Sequence, residues 1–187
     1  QIEYQADDAF LFGPETRGLP AHILDSFDTP HADYKGRLTS LAGTSLGDHG
    51  DHVAGTILGA GNINPDGEGV APGAYNVYYS YPGNLSNVDA HYNSYGVRVT
   101  NSSYATGCNA GYTSFAAQVD KDIIQNPVLL HVFSAGNNNG SNCGYGAGSK
   151  WGNIPGGHKQ GKNVVATANI TYLDAIAPSS SRGPADV

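Results

Sequence analysis

One stretch limits the architecture more than any other: Val128-Leu129-Leu130-His131-Val132-Phe133. A run this apolar is what a strand covered on both faces requires, because neither of its sides is left to meet water. Other segments alternate around it. Val77 to Tyr81 and Val97 to Tyr104 read as strands, and Asn163 to Ala168 reads as a second continuous apolar one. Asn84 to Tyr95 is weakly helical, while Ser114 to Gln125 carries Phe115, Val119 and Ile123 at helical spacing. Strands alternating with helices predict a mostly parallel sheet in a layered α/β fold.

Composition narrows the function. The 187 residues and the 39% apolar share suit one domain with a real core. A formal charge of −7, with nine Lys plus Arg, argues against nucleic acid as a partner, since phosphate binding needs a basic stripe. No apolar run approaches membrane-spanning length and no signal-peptide pattern opens the chain. The chain starts at Gln1 and contains no Met, which points to a processed or trimmed product. Cys108 and Cys143 lie in loops rich in Asn, Gly and Tyr and read as a disulfide formed in an oxidising compartment. Closing that loop adds about 3–4 kcal/mol in the chain-entropy account.

The candidate chemistry centres on Gly47-Asp48-His49-Gly50-Asp51-His52-Val53-Ala54-Gly55-Thr56-Ile57-Leu58-Gly59. In its second half Val53, Ala54, Ile57 and Leu58 share one face at helical spacing, and Gly59 ends the run. His49 then sits where a loop enters a helix. Unpaired backbone N–H groups and the positive dipole end favour a neutral imidazole there, as a general base needs. Two satisfied polar His under a helix are the plainer alternative. Four N and O ligand types within residues 47–52 also allow a metal-dependent hydrolase, although no His-Glu-x-x-His is present.

His49-Gly-x-His-Val-Ala-Gly-Thr-Ile57 resembles the histidine motif of the subtilisin-like serine proteases, with Asp51 where that family usually has Thr. Two further pieces follow in the family's order: Ala135-Gly136-Asn137 and Ser180-Ser181-Arg182-Gly183-Pro184. The resemblance implies a subtilisin-like three-layer fold with a mostly parallel central sheet, incomplete in this chain. It implies an N-terminal arm over 1–17 and the N-terminal part of a catalytic domain over 18–187. It assigns His49 as the catalytic His, with His52 a structural partner, and Asn137 as the oxyanion donor. Asp25, followed by Ser26, becomes the triad acid. Phe27 stands where the family has Gly, so Asp28 is its rival. Asn101-Ser102-Ser103-Tyr104 resembles the strand that binds substrate by β-addition, with Ala135 and Gly136 contributing to the pocket.

The family's Gly-Thr-Ser-x-Ala nucleophile motif does not occur. The expectation is therefore a serine endopeptidase acting on polypeptides, inactive as this chain alone, whose Ser arrives on a following C-terminal fragment of the same protease. Asp, His, Ser is the subtilisin order. A catalytically inactive subtilase-like binding domain is the alternative, favoured by Phe27 and Asp51. No cofactor is required. Gly61 to Pro72 begins like a calcium loop at Asn62, Asn64 and Asp66, but Gly73 occupies the twelfth position where an EF-hand needs Glu. Gly69-Val70-Ala71-Pro72 resembles the family segment that follows a loop often carrying calcium. A polar turn without metal is preferred, and structural calcium at those three residues remains the alternative. The expected location is secreted or extracytoplasmic.

Overall fold

In the computed structural model the described residues are 32–41, 47–79, 83–104, 107–108, 111–143 and 150–184. The N-terminal arm, His22 to Leu24 (an apolar stretch that reads as a short strand leading into Asp25), Asp25, Phe27 and Asp28 lie outside them. The elements in chain order are β1 (Leu38–Ser40), α1 (Gly47–Leu58), β2 (Asn76–Tyr78), α2 (Gly83–Ser86), α3 (Val88–Tyr95), β3 (Val99–Ser102), α4 (Ser114–Gln125), β4 (Leu130–Ser134) and β5 (Val165–Thr167). Short 3-10 turns occupy Ala32–Tyr34, Pro65–Gly67 and His158–Gln160. Every strand pair among the described residues is parallel: β1 with β2, and β3-β4-β5 in that order. This is the α/β arrangement that alternating segments predict. The chain divides into two compact units, Gln1–Tyr95 and Gly96–Val187.

The first unit is built around α1. Ala54 and Leu58, one turn apart, are buried with Tyr34 and Ala74, and Leu38, Ile57 and Ala71 pack against them. Helix α1 begins at Gly47, six residues ahead of Val53, so His49 lies within its first turn. Its packed apolar face and its tied C-terminal end hold the helix, and the weak formers at its start extend it from there. The helical stretch over 84–95 divides at Asn87 into α2 and α3, with Leu85, Val88 and His91 turned inward.

The second unit is built around β4. His131, Val132, Phe133 and Ser134 are all buried, although consecutive side chains point to opposite faces, so the strand is covered on both sides as expected. Two expectations fail at its margins. Val128 is not in the strand; it sits 78% exposed in a turn with φ 66°. The chain must reverse there after α4, and the Leu129 N–H closes the turn on the Asn126 carbonyl at 3.1 Å. Strand β5 is not a buried strand either, since Val165 and Ala166 are exposed. It ends the described sheet, and β4 is its one partner there. Asp120 of α4 fastens the approach to β5, accepting hydrogen bonds from the Tyr112 hydroxyl and from the N–H groups of Lys162 and Asn163. Burial alone would raise its pKa, yet these donors hold the carboxyl below its ordinary value.

Candidate active site

His49 is exposed in the first turn of α1, and His52, one turn on, is half-buried. Burial first, and then the nearby His49, push the His52 pKa down, which keeps this second imidazole neutral. The other end of the helix is tied down group by group. A helix leaves its last carbonyls without intrahelical donors. Here Thr56 O accepts from Val70 N–H at 3.0 Å, Ile57 O from Ala71 N–H at 2.8 Å, and Gly59 O from Gly69 N–H at 2.7 Å. Leu58 O accepts from Arg37 Nη2 at 2.8 Å, while the same guanidinium donates to the carbonyls of Asp33 and Ala74. So Gly69-Val70-Ala71 is the C-terminal clamp of the histidine helix. The close approach demands glycine: a Cβ on Gly59 would lie 2.4 Å from Gly67 O, and one on Gly69 would lie 2.7 Å from Ile57 O.

The loop before this clamp uses its polar groups internally. Asn64 Oδ1 accepts from Asp66 N–H at 3.1 Å and caps the turn Pro65–Gly67. The Asn62 N–H donates to Asp33 Oδ1 at 3.0 Å, and its side-chain amide donates to Ala32 O. Calcium gathers six to eight oxygens, several of them carboxylate. Of the three loop residues read as ligands, Asp66 alone carries a carboxylate and the Asn64 oxygen is engaged. Among the described residues no group of three or more His, Cys, Asp or Glu is placed to hold a metal.

In the second unit the carboxyl end of β4 runs from buried Ser134 and Ala135 through buried Gly136 to exposed Asn137. Gly136 has φ 105°, and a Cβ there would meet Pro155 Cδ and Cγ at 2.6 Å and Ser181 Oγ at 3.0 Å. The turn is held from the far end of the chain. Ser181 N–H donates to Gly136 O at 2.7 Å, and Ser181 Oγ accepts from Asn138 N–H at 2.9 Å. Ser180 Oγ accepts from Asn169 N–H at 3.1 Å. Both serines are fully buried and their hydroxyls are engaged, so neither is a free nucleophile. Arg182 is fixed in turn: its N–H donates to Oδ1 of fully buried Asn153, whose own N–H returns a bond to Arg182 O. The Ser-Ser-Arg-Gly-Pro segment is thus a brace behind Asn137.

Strand β3 delivers Ser102, Ser103 and Tyr104 beside β4, Ser102 pairing in register with Phe133. Ser102 is buried, and Ser103 and Tyr104 are half-buried. Cys108 and Cys143 form the expected disulfide, with Cα atoms 5.4 Å apart, joining the loop after β3 to the loop after β4. Gly156 N–H donates to Cys108 O at 2.8 Å and strengthens that connection. His49 and the residues 102–104 and 135–137 belong to different units, and each is placed within its own.

Four residues escape the sequence. Arg37 carries no motif that marks it as a helix-end donor. Pro155, against Gly136, is one proline in a loop of many turn residues. His158 and Lys159 look like loop polar residues, but they are buried. Gly69 and Gly136 stand inside matched motifs, so for these glycines a signal was available.

Comparison with known proteins gives one match along most of the chain and several short ones. Stretches of 25 residues match a tRNA (cytidine(34)-2'-O)-methyltransferase of Yersinia pestis at 72% identity and one of Photorhabdus asymbiotica at 60%. Each covers 13% of this chain and 15% of that enzyme, so the chain spans a small part of the length of these relatives. A shared piece that short is less than a folding domain and carries neither fold nor activity across. The subtilase family model, in contrast, matches residues 26–186, from the Asp25 neighbourhood through the histidine helix and the Ala-Gly-Asn turn to the Ser-Ser-Arg-Gly-Pro brace. The chain belongs to the subtilase family.

Proposed function

We propose that this chain supplies the Asp and His of a Ser-His-Asp endopeptidase whose nucleophilic Ser lies on a following fragment of the same protease. Asp25 orients the His49 imidazole. His49 takes the proton of that Ser as its oxygen attacks the scissile carbonyl, and later gives it to the leaving amine. Asn137 donates to the oxyanion, and water then hydrolyses the acyl-enzyme. The reading rests most on Asn137. Its carboxamide is exposed at the end of a buried strand, on a turn that Gly136, Pro155 and Ser181 hold rigid. A donor fixed in advance, where charge appears only in the transition state, is what lowers the barrier. Removing one costs about 10²–10³ in kcat, a figure obtained on subtilisin itself.

The test is labelling of the complete protein with a serine-directed phosphonate, followed by intact mass and sequencing of every component. The expected label falls on a Ser in a Gly-Thr-Ser-x-Ala segment of the following fragment and disappears in His49→Ala. Absence of label on any component would sink the proposal and favour a non-catalytic binding domain, the reading that Phe27 and Asp51 support. Substrates bind as an extended strand along Ser102, Ser103 and Tyr104, with Ala135 and Gly136 at the pocket. The disulfide supports a secreted or extracytoplasmic location. The loop at Asn62, Asn64 and Asp66 serves as a strut for α1, and chelator is expected to leave the thermal midpoint unchanged.

A further inference from the structure

Lys159 is 3% exposed. An ammonium taken out of water is costly unless oxygen and π partners replace its hydration. Lys159 belongs to the 3-10 turn His158–Gln160, whose three residues are all buried. Its Nζ donates to the Tyr104 carbonyl and lies 4.8 Å from the centroid of the Tyr104 ring. The adjacent His158 meets the far end of the same side chain, with Nδ1 2.9 Å from the Tyr104 hydroxyl. The His158 ring is itself held, tilted against Phe115 at 4.9 Å and stacked on Phe133 at 6.5 Å. Tyr104 is therefore gripped at its carbonyl, its ring face and its hydroxyl by two neighbours more than fifty residues away in sequence. Apolar packing alone would seat an aromatic ring. Two polar groups converging on one side chain fix its orientation as well.

We propose that His158 and Lys159 are positioning residues that lock Tyr104 at the end of β3 and so set which polypeptide side chains the substrate-binding strand accepts. The inference rests on the reading of Ser102, Ser103 and Tyr104 as that strand. Neither residue touches the reacting atoms. Their effect is on substrate binding, through the ring they hold.

The experiment compares the complete protease with its Lys159→Met, Lys159→Arg and Tyr104→Phe variants. The substrates are a set of peptides differing in one side chain on the amino side of the cleaved bond. Lys159→Met is expected to raise KM about tenfold, the worth of one buried hydrogen bond to a charged group, with kcat unchanged. It should also flatten the ratio of kcat/KM between the best and worst peptides, whereas Lys159→Arg keeps that ratio. A folded Lys159→Met enzyme with unaltered KM and selectivity overturns the inference. If Lys159→Met does not fold, Tyr104→Phe, which removes the hydroxyl that meets His158, decides by the same ratio. Should the wild type neither cleave peptides nor take a phosphonate, the protease reading fails separately. The equilibrium Kd of the same peptides then decides: about tenfold weakening in Lys159→Met upholds the positioning role, and equal Kd values refute it.

Discussion

The histidine helix and the Ala-Gly-Asn turn are braced by opposite means. Helix α1 is anchored at the end away from His49, by an apolar cluster of Tyr34, Ala54, Leu58 and Ala74 and by donors that satisfy its last carbonyls. His49, in its first turn, stays exposed. The Asn137 turn is braced on the spot, by a glycine with Pro155 and Ser181 packed where a side chain would be. The difference fits the two tasks proposed for these residues. A general base must move its proton and adjust to its partner, whereas an oxyanion donor gains by being fixed before the charge forms.

Adding one methyl group at each brace tests that contrast. Gly136→Ala puts a Cβ 2.6 Å from Pro155 on a residue with φ 105°, so steric and backbone strain add. The expected loss is about 3 kcal/mol in denaturant unfolding. Displacement of Asn137 should also lower kcat of the complete protease by about 10². Gly59→Ala drives a Cβ to 2.4 Å from Gly67 O at an ordinary φ, and is expected to cost about 2 kcal/mol. Because that clash is at the far end of α1, kcat should change much less than in Gly136→Ala. Equal losses of kcat in the two variants would break the comparison.

Acid separates the braces by another route. His131 is completely buried, with Nδ1 2.7 Å from the Thr100 hydroxyl, and Asp122 Oδ2 lies 3.8 Å from its Nε2. Burial, reinforced by His158, pushes its pKa down to about 4 against an opposing pull from Asp120, so at neutral pH the Asp122 contact is not an ion pair. The folded pKa lies below the unfolded value of 6.5, and the unfolded chain binds more protons between the two. Stability from this residue is therefore complete above pH 6.5 and falls as pH drops toward 4, by roughly 3 kcal/mol if His131 acts alone. His91 and His158, also lowered by burial, act in the same direction. Urea unfolding at several pH values, with and without His131→Gln, measures this. A His131→Gln protein as acid-sensitive as wild type would exclude His131 as the cause.

Much of this was legible in the sequence, and the failures share a cause. Ser114 to Gln125 is helical to the residue as its apolar period predicts, but of Phe115, Val119 and Ile123 only Val119 is buried: Ala116, Asp120 and Asp122 join it inside while Phe115 stays 54% exposed. The parallel pairing followed from alternating elements. Val128 was misread because apolar identity in a short run does not reveal where a chain must turn. Position in the sheet is likewise invisible locally, so Asn163 to Ala168 looked buried although Val165 is 39% exposed. Within the candidate site, His49 and Asn137 announced themselves through motifs. Arg37, Pro155, His158 and Lys159 did not, since they act through contacts with residues distant in sequence.

The smallest expected effect concerns the other end of β4. The strand's carboxyl end carries Asn137 and its brace, while its amino end begins after Val128, a β-branched residue at φ 66°. Left-handed backbone costs such a residue about 1–2 kcal/mol, and at 78% exposure its side chain recovers little by packing. Asn tolerates that conformation because its short polar side chain bonds locally. Val128→Asn is therefore expected to stabilise the protein by about 1 kcal/mol in chemical denaturation. Strain placed away from the candidate site should serve no substrate, so kcat and KM of the complete protease should not change. A Val128→Asn enzyme that is more stable but loses activity would show that the two ends of β4 are coupled, and that the bracing of Asn137 extends along the whole strand.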